Sequence, residues 1–138
     1  LSVTFAVDYF MSQTLPKAER LRSRKTIAQL FSKGNAISAA PIRMVWIQAG
    51  NADNSVFQFG VSVPKKNFKR AVDRNRLKRQ MREVVRKNKL LVKNILTEKN
   101  KPCAMMFVFT GKEKAEFKEI ESQIVLILQR FISKIESQ

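Results

Sequence analysis

The densest run of chemically capable side chains in this 138-residue sequence is Arg74-Asn75-Arg76-Leu77-Lys78-Arg79, continued by Arg82 and Arg86 and preceded by Lys65 and Lys66. On a helix, positions 74, 78 and 82, and positions 75, 79, 82 and 86, fall three or four apart and form ladders along one face. Guanidinium groups are planar forks that hold phosphate oxygens two at a time or stack on bases. Asn75, the neutral member, can donate and accept, which suits a base edge or a 2′-hydroxyl. A solvated helix face is the ordinary reading of a charge run, but such faces usually mix signs, and this one carries only Asp73 and Glu83. Like charges at i,i+4 destabilise a helix, so their repetition points to a polyanionic partner.

Other chemistry has little to work with. There is no His, so no imidazole base or ligand, and one Cys, Cys103, so neither an intrachain disulfide nor a Cys-rich zinc site. Asp73 stands alone before Arg74, where it either orients a neighbour and helps the helix start or ligates a metal; the first role is the expected one. Glu83 is placed to pair with Arg79 or Arg86 along the helix. No two carboxylates have the spacing of a two-metal nuclease. The sequence therefore offers no catalytic residue and no metal site of its own.

The charge is concentrated. With 27 Lys+Arg against 11 Asp+Glu the chain carries +16. Residues 17–33 hold six basic residues and one acid, residues 64–93 hold thirteen and two, and the rest balances at eight of each. Nucleic acid is the first partner such a surplus implies, an anionic membrane surface the second. The longest apolar run, Cys103 to Phe109, is far short of the roughly 20 residues a span requires, and residues 1–10 do not read as a signal peptide. The expectation is a soluble, cytoplasmic protein that does not engage a membrane.

The elements that must position these groups can be outlined. Residues 1–16 read as an N-terminal extension, with Met11 opening a more ordinary polar start, and 17–138 as a single nucleic-acid-binding domain. A first helix is predicted over about 23–33, capped by Ser23, carrying Ile27, Leu30 and Phe31, and stopped by Gly34. PIRMVWIQA (41–49) and VFQFGVSV (56–63) read as an antiparallel hairpin across the turn-rich GNADNS, with Phe57, Phe59, Val61 and Val63 on one face. The basic helix is predicted from about Ala71 to Lys89, its Leu77, Met81, Val84 and Val85 within an arc of about 100°. Residues 90–101 read as a polar or loosely helical connection. Residues 101–110 read as a central strand, apolar on both faces. A helix over about 115–135 buries Phe117, Ile120, Ile124, Ile127, Leu128, Phe131, Ile132 and Ile135. The class is α+β: a small mixed sheet with helices packed on it, in the order α-β-β-(β)-α-β-α. Cys103, Met105 and Met106 read as core. Trp46 and Phe31 are either core residues or platforms for unpaired bases.

Residues 61–86, VSVPKKNFKRAVDRNRLKRQMREVVR, resemble the signature of the bacterial ribonuclease P protein subunit. Ser62-Val63-Pro64-Lys65-Lys66, Ala71-Val72, Arg74-Asn75-Arg76, Lys78-Arg79 and Arg82-Glu83 follow the family's order, and Arg20-Leu21-Arg22 with Ile27 to Gly34 look like its first helix. The resemblance implies a two-layer sandwich like the second domain of a small-subunit ribosomal protein, with a left-handed crossover. It implies a monomeric protein that binds a catalytic RNA and assists that RNA in cleaving the 5′ leader from precursor tRNA, with Mg²⁺ held mainly by the RNA. By the same resemblance Lys65, Lys66, Arg74, Asn75, Arg76, Lys78, Arg79, Arg82 and Arg86 contact RNA, while Ile27, Phe31 and Trp46 belong to a cleft that takes the single-stranded leader. Two departures stand out. Ile27 replaces the family's first aromatic, and the loop Asn67-Phe68-Lys69-Arg70 is about one residue longer than usual and lacks its Gly.

Three classes of function compete, the third being a binding module of ribosomal or DNA-binding type. An RNA-binding subunit of a ribozyme explains the missing histidines and carboxylate clusters. A protein-only nuclease would need clustered carboxylates, which Glu19, Asp73 and Glu83 do not supply. A ribosomal-type RNA binder with no role in cleavage fits the composition but not the motif. A basic-zipper DNA binder fails on its heptads, because Leu90, Leu91, Ile95 and Leu96 are followed by Pro102.

Overall fold

Ser23 opens the first helix as its residue type requires, its hydroxyl accepting the Thr26 N–H at 3.2 Å. Helix α1 spans Arg24–Lys33. Gly34 ends it with an extended backbone, and glycine is needed there because a Cβ would run into the Leu30 carbonyl. These features belong to a computed structural model that describes residues 19–48 and 56–138. The turn expected over 50–55 and the extension over 1–16 lie outside the described residues.

The chain continues through β1 (Asn35–Ala39), a turn at Ala40-Pro41 containing a cis peptide bond, and β2 (Ile42–Gln48). After β3 (Phe57–Ser62) comes helix α2 (Ala71–Lys99), then β4 (Cys103–Phe109) and helix α3 (Phe117–Glu136). The four strands lie in the order β1-β2-β4-β3. β1 and β4 flank β2 antiparallel, and β3 runs parallel to β4.

That order overturns the expected hairpin of 41–49 with 56–63. β2 and β3 are not neighbours, because β4, apolar on both faces, inserts between them and pairs with both. β1 fills the remaining side of β2. Its NAISA sequence carries a single large apolar residue, so it gives almost no strand signal.

β4 divides the interior in two. Its odd residues Cys103, Met105, Phe107 and Phe109 join Ile42, Met44, Trp46, Phe57 and Phe59 beneath α2 and α3. Its even residues Ala104 and Met106 meet Val45 and Leu30, with Leu21, Ile27, Ile47 and Val108 packed around them under α1. Both helical layers thus rest on one mixed sheet, as expected for the α+β class. Burial pushes the Cys103 thiol up to about 12, so it behaves as a small apolar side chain.

α2 is ten residues longer than expected. Val92, Ile95 and Leu96 extend the buried stripe of Leu77, Met81, Val84 and Val85 through the segment read as a connection. Asn100, left-handed at φ 52, closes it, and the Lys101 N–H reaches back to the Leu96 carbonyl at 3.0 Å. Asn in place of Gly at the stop, and a polar 97–101, hide this end in the sequence.

Trp46 is 2% exposed and meets Phe131 of α3 edge-to-face, ring centroids 5.0 Å apart. Replacing it by Ala is expected to lower unfolding free energy by about 3–5 kcal/mol, measured by urea denaturation.

Candidate nucleic-acid interface

The basic face begins in the turn after β3. Pro64 offers its carbonyl to the N–H groups of Asn67 and Phe68 at 3.2 and 3.4 Å. Phe68 is buried against Phe109, centroids 5.6 Å apart. This anchor gives the longer, glycine-free loop a defined path and leaves Lys65, Lys66, Lys69 and Arg70 exposed around it. Arg74 completes the corner: its Nη1 donates to the carbonyls of Phe68 and Lys69 at 2.7 and 2.8 Å. One fork of Arg74 is therefore spent on shaping the entry to α2.

Along α2 the predicted ladder separates into open and occupied members. Asn75, Arg76, Arg79 and Arg82 are exposed, and Lys78 is half-buried. Asn75, Arg76 and Arg79 line a shallow depression of about 340 Å³ with Val72 and Asp73. Arg86 is committed within the helix, its Nε and Nη2 donating to Glu83 at 3.1 and 2.6 Å. This bond holds the Glu83 carboxyl below its usual range. Asp73 is likewise lowered, chiefly by its bond from Lys114 at 2.9 Å, which ties the start of α2 to the segment before α3. Asp73 thus holds a lysine of a distant segment rather than an arginine beside it on α2.

A second basic surface comes from the segment before α1, which lies along the free edge of β3. The Leu21 N–H donates to the Phe59 carbonyl at 3.0 Å, and Arg20 bridges to Phe59 in parallel sense. This strap carries Arg20 and Arg22 to the rim of a cavity of about 600 Å³, lined also by Leu21, Phe59, Gly60 and Arg82. Glu19, at its root, is buried against Lys89 and Lys93 of α2 at 3.3 and 3.2 Å. Burial pulls the Lys89 ammonium pKa down, and Glu19 partly offsets that shift. Arg20-Leu21-Arg22, read by resemblance as part of the first helix, instead lie before it along β3, and Glu19 was marked only by the charge pattern of 17–33.

The three expected cleft residues do not come together. Ile27 packs on the face of the sheet beneath α1, and Phe31 on the same helix is 59% exposed. Trp46 lies on the opposite face under α3, so its assignment to a leader cleft is corrected to core. Strand alternation sends Trp46 one way and its neighbours Val45 and Ile47 the other. β2 is apolar on both faces near Trp46, which leaves its parity unreadable from the sequence. Val45 and Ile47 are the β2 residues on the Ile27 side.

A small mixed sheet with a long basic helix linking its parallel strands defines a class shared with solved ribonuclease P proteins. The Thermotoga maritima RNase P protein superposes with a TM-score of 0.63 at 24% identity, over 81% of this chain and 96% of that one. The Staphylococcus aureus RNase P protein gives 0.61 at 19% identity, over 83% and 95%. The chain matches the family model described as Ribonuclease P over residues 15–132. It is 34% identical over 123 residues to the ribonuclease P protein component of Porphyromonas gingivalis, covering 89% of this chain and 90% of the relative. With that of Syntrophomonas wolfei it shares 30% identity over 117 residues, 84% and 89% of the two chains. The chain belongs to the Ribonuclease P protein family.

The split between open and occupied arginines has a measurable consequence. Arg79→Ala should reduce the slope of log K against log salt for RNA binding by roughly 0.7–0.9, the loss of one phosphate contact. Arg86→Ala should change it by less, because Glu83 already neutralises that guanidinium; filter binding over a salt series measures both.

Proposed function

We propose that this protein binds the catalytic RNA of ribonuclease P through α2 and the preceding turn, and binds the 5′ leader of precursor tRNA beside α1. The RNA then cuts the leader from the tRNA. One observation carries the reading. In a chain of this family, Asn75, Arg76, Arg79 and Arg82 stand exposed on a rigid helix whose other face is locked into the core.

Lys65, Lys66 and Lys78 extend that surface, and Arg74 holds the turn in the geometry that presents it. The fixed backbone matters because phosphate contacts set register only when their donors are already positioned. Phe31 offers an exposed ring next to Ile27 for a base of the leader, and Arg20, Arg22 and Arg82 supply cations for its phosphates.

The protein's part in cleavage is binding and placement. No group of three or more Asp, Glu or Cys side chains able to hold a metal comes together among the described residues. On α2, Asp73 and Glu83 each face a cation, and the third carboxylate, Glu98, lies about four turns further on near the end of the helix. This donor set does not fit a protein-held Mg²⁺, and the reading assigns the Mg²⁺ to the RNA. No helix among the described residues is long and apolar enough to cross a membrane. The reading places a single copy of the protein on the RNA in the cytoplasm.

Reconstitution tests this. The protein with a bacterial RNase P RNA and Mg²⁺ should process precursor tRNA at low salt, whereas the protein alone should cleave nothing. Reproducible cleavage without RNA, abolished by a point substitution, would refute it. Phe31→Ala should raise KM for substrates with a leader while affinity for the RNase P RNA stays within about twofold, since one stacked base contributes roughly 1–3 kcal/mol. Equal loss of both would remove Phe31 from the leader site.

A further inference from the structure

The ladder on α2 does not end at Arg86. Positions 75, 78, 82, 86, 89 and 93 continue at three- and four-residue intervals, but Lys89 is 2% exposed and Lys93 is half-buried. What covers them is Glu19, itself 2% exposed, whose Oε1 meets both ammonium groups. An acid buried in a chain of charge +16, at the root of a segment that carries two arginines, is costly unless its geometry is used.

We propose that Glu19 is a positioning residue for RNA binding. By clamping the strap to Lys89 and Lys93, it holds Arg20 and Arg22 beside Arg82 around the 600 Å³ cavity and makes one phosphate-binding surface of two separate basic segments. Among the described residues the strap is otherwise held around Leu21: by the parallel bridge of Arg20 to Phe59, the Leu21 N–H bond to Phe59, and the Leu21 side chain, which passes over Gly60 and packs against the cluster of Leu30, Val45, Ala104 and Met106. A Cβ at Gly60 would stand 3.7 Å from that of Leu21 and 3.2 Å from Met106 Cε. The first distance is ordinary van der Waals contact, and the tighter neighbour is the flexible end of Met106, so the strap's approach does not itself depend on glycine. Without the carboxylate, the buried Lys89 and half-buried Lys93 ammonium groups repel each other where the strap must dock.

The proposal reverses a simple electrostatic expectation. Removing an acid from an RNA-binding protein ordinarily strengthens binding; here it should weaken it. Docking is read first on the free protein by amide hydrogen exchange. In Glu19→Gln the Leu21 amide should exchange at least about tenfold faster while the amides of β4 keep their protection. Unchanged protection of Leu21 overturns the proposal, whatever the RNA does.

The functional part rests on the proposed leader site and reads the affinity of the holoenzyme, reconstituted with a transcribed bacterial RNase P RNA, for precursor tRNA carrying a leader over a salt series. Glu19→Gln should weaken binding by about tenfold and lower the salt slope by up to roughly 0.7–0.9 for each arginine released. In an Arg20→Ala/Arg22→Ala background it should cost nothing more, because the arginines through which it acts are gone. A gain in affinity, or a loss that simply adds to that of the double variant, overturns the proposal. Should Glu19→Gln fail to fold, Lys93→Met keeps the Glu19–Lys89 pair and carries the same cycle. Its loss must vanish in the double variant, and an additive loss would instead mark Lys93 as a direct RNA contact. If the wild-type holoenzyme holds precursor tRNA no better than mature tRNA, the proposed leader site falls, and Leu21 exchange still decides whether Glu19 docks the strap.

Discussion

Burial of β4 on both faces is the constraint from which the rest of the molecule follows. A strand apolar on each side needs a helical layer above and below, and partners on both edges to satisfy its backbone. α2 and α3 supply one layer and α1 the other, while β2 and β3 supply the edges. Because β3 pairs parallel to β4, the chain must travel the length of the sheet between them, and α2 is that return path. The basic helix is therefore the connection the sheet cannot do without, and it cannot move without disturbing the core.

This explains how so cationic a helix persists. Its exposed pairs, such as Lys87 with Glu83 at 3.8 Å, add little in water. Stability comes from the stripe of Leu77, Met81, Val84, Val85, Val92 and Leu96, each of which is buried. Packing thus offsets the repulsion among arginines, and the outward face is released from any need for counter-charges. The polar contacts that do form each fix one place. Arg74 shapes the entry turn, Lys114 holds Asp73, and Glu19 closes the far end.

Much of this was legible in the sequence, and the remainder was hidden for identifiable reasons. The stripe and ladder of α2 were readable because one 3.6-residue period governs both faces. The two-faced character of β4 was readable from seven consecutive apolar residues. Strand pairing was not. MVWI and FQFGV look like adjacent hairpin strands, and only the competition of β4 for both separates them. The side on which Trp46 falls was hidden because Val45, Trp46 and Ile47 are all apolar, so alternation gives no phase. The occupied state of Arg74 and Arg86 was invisible for a different reason: spacing tells which residues share a face, not which have already found a partner.

The correction at Trp46 changes what the proposed leader site can recognise. With Trp46 under α3 and an aliphatic residue at position 27, Phe31 is, among the described residues, the one exposed ring on α1. The surface around Ile27 is aliphatic: Ile47 and Val108 are partly buried, while Val45 and Met106 lie deeper in the same cluster. Aliphatic side chains contact bases without the strong plane-to-plane preference of an aromatic ring, so they fix neither the angle nor the identity of a base. Binding there would depend less on stacking and more on phosphate contacts from Arg20, Arg22 and Arg82. Those contacts are indifferent to sequence and sensitive to salt. In that arrangement the placement of the strap, rather than a second aromatic, decides how well a leader is held.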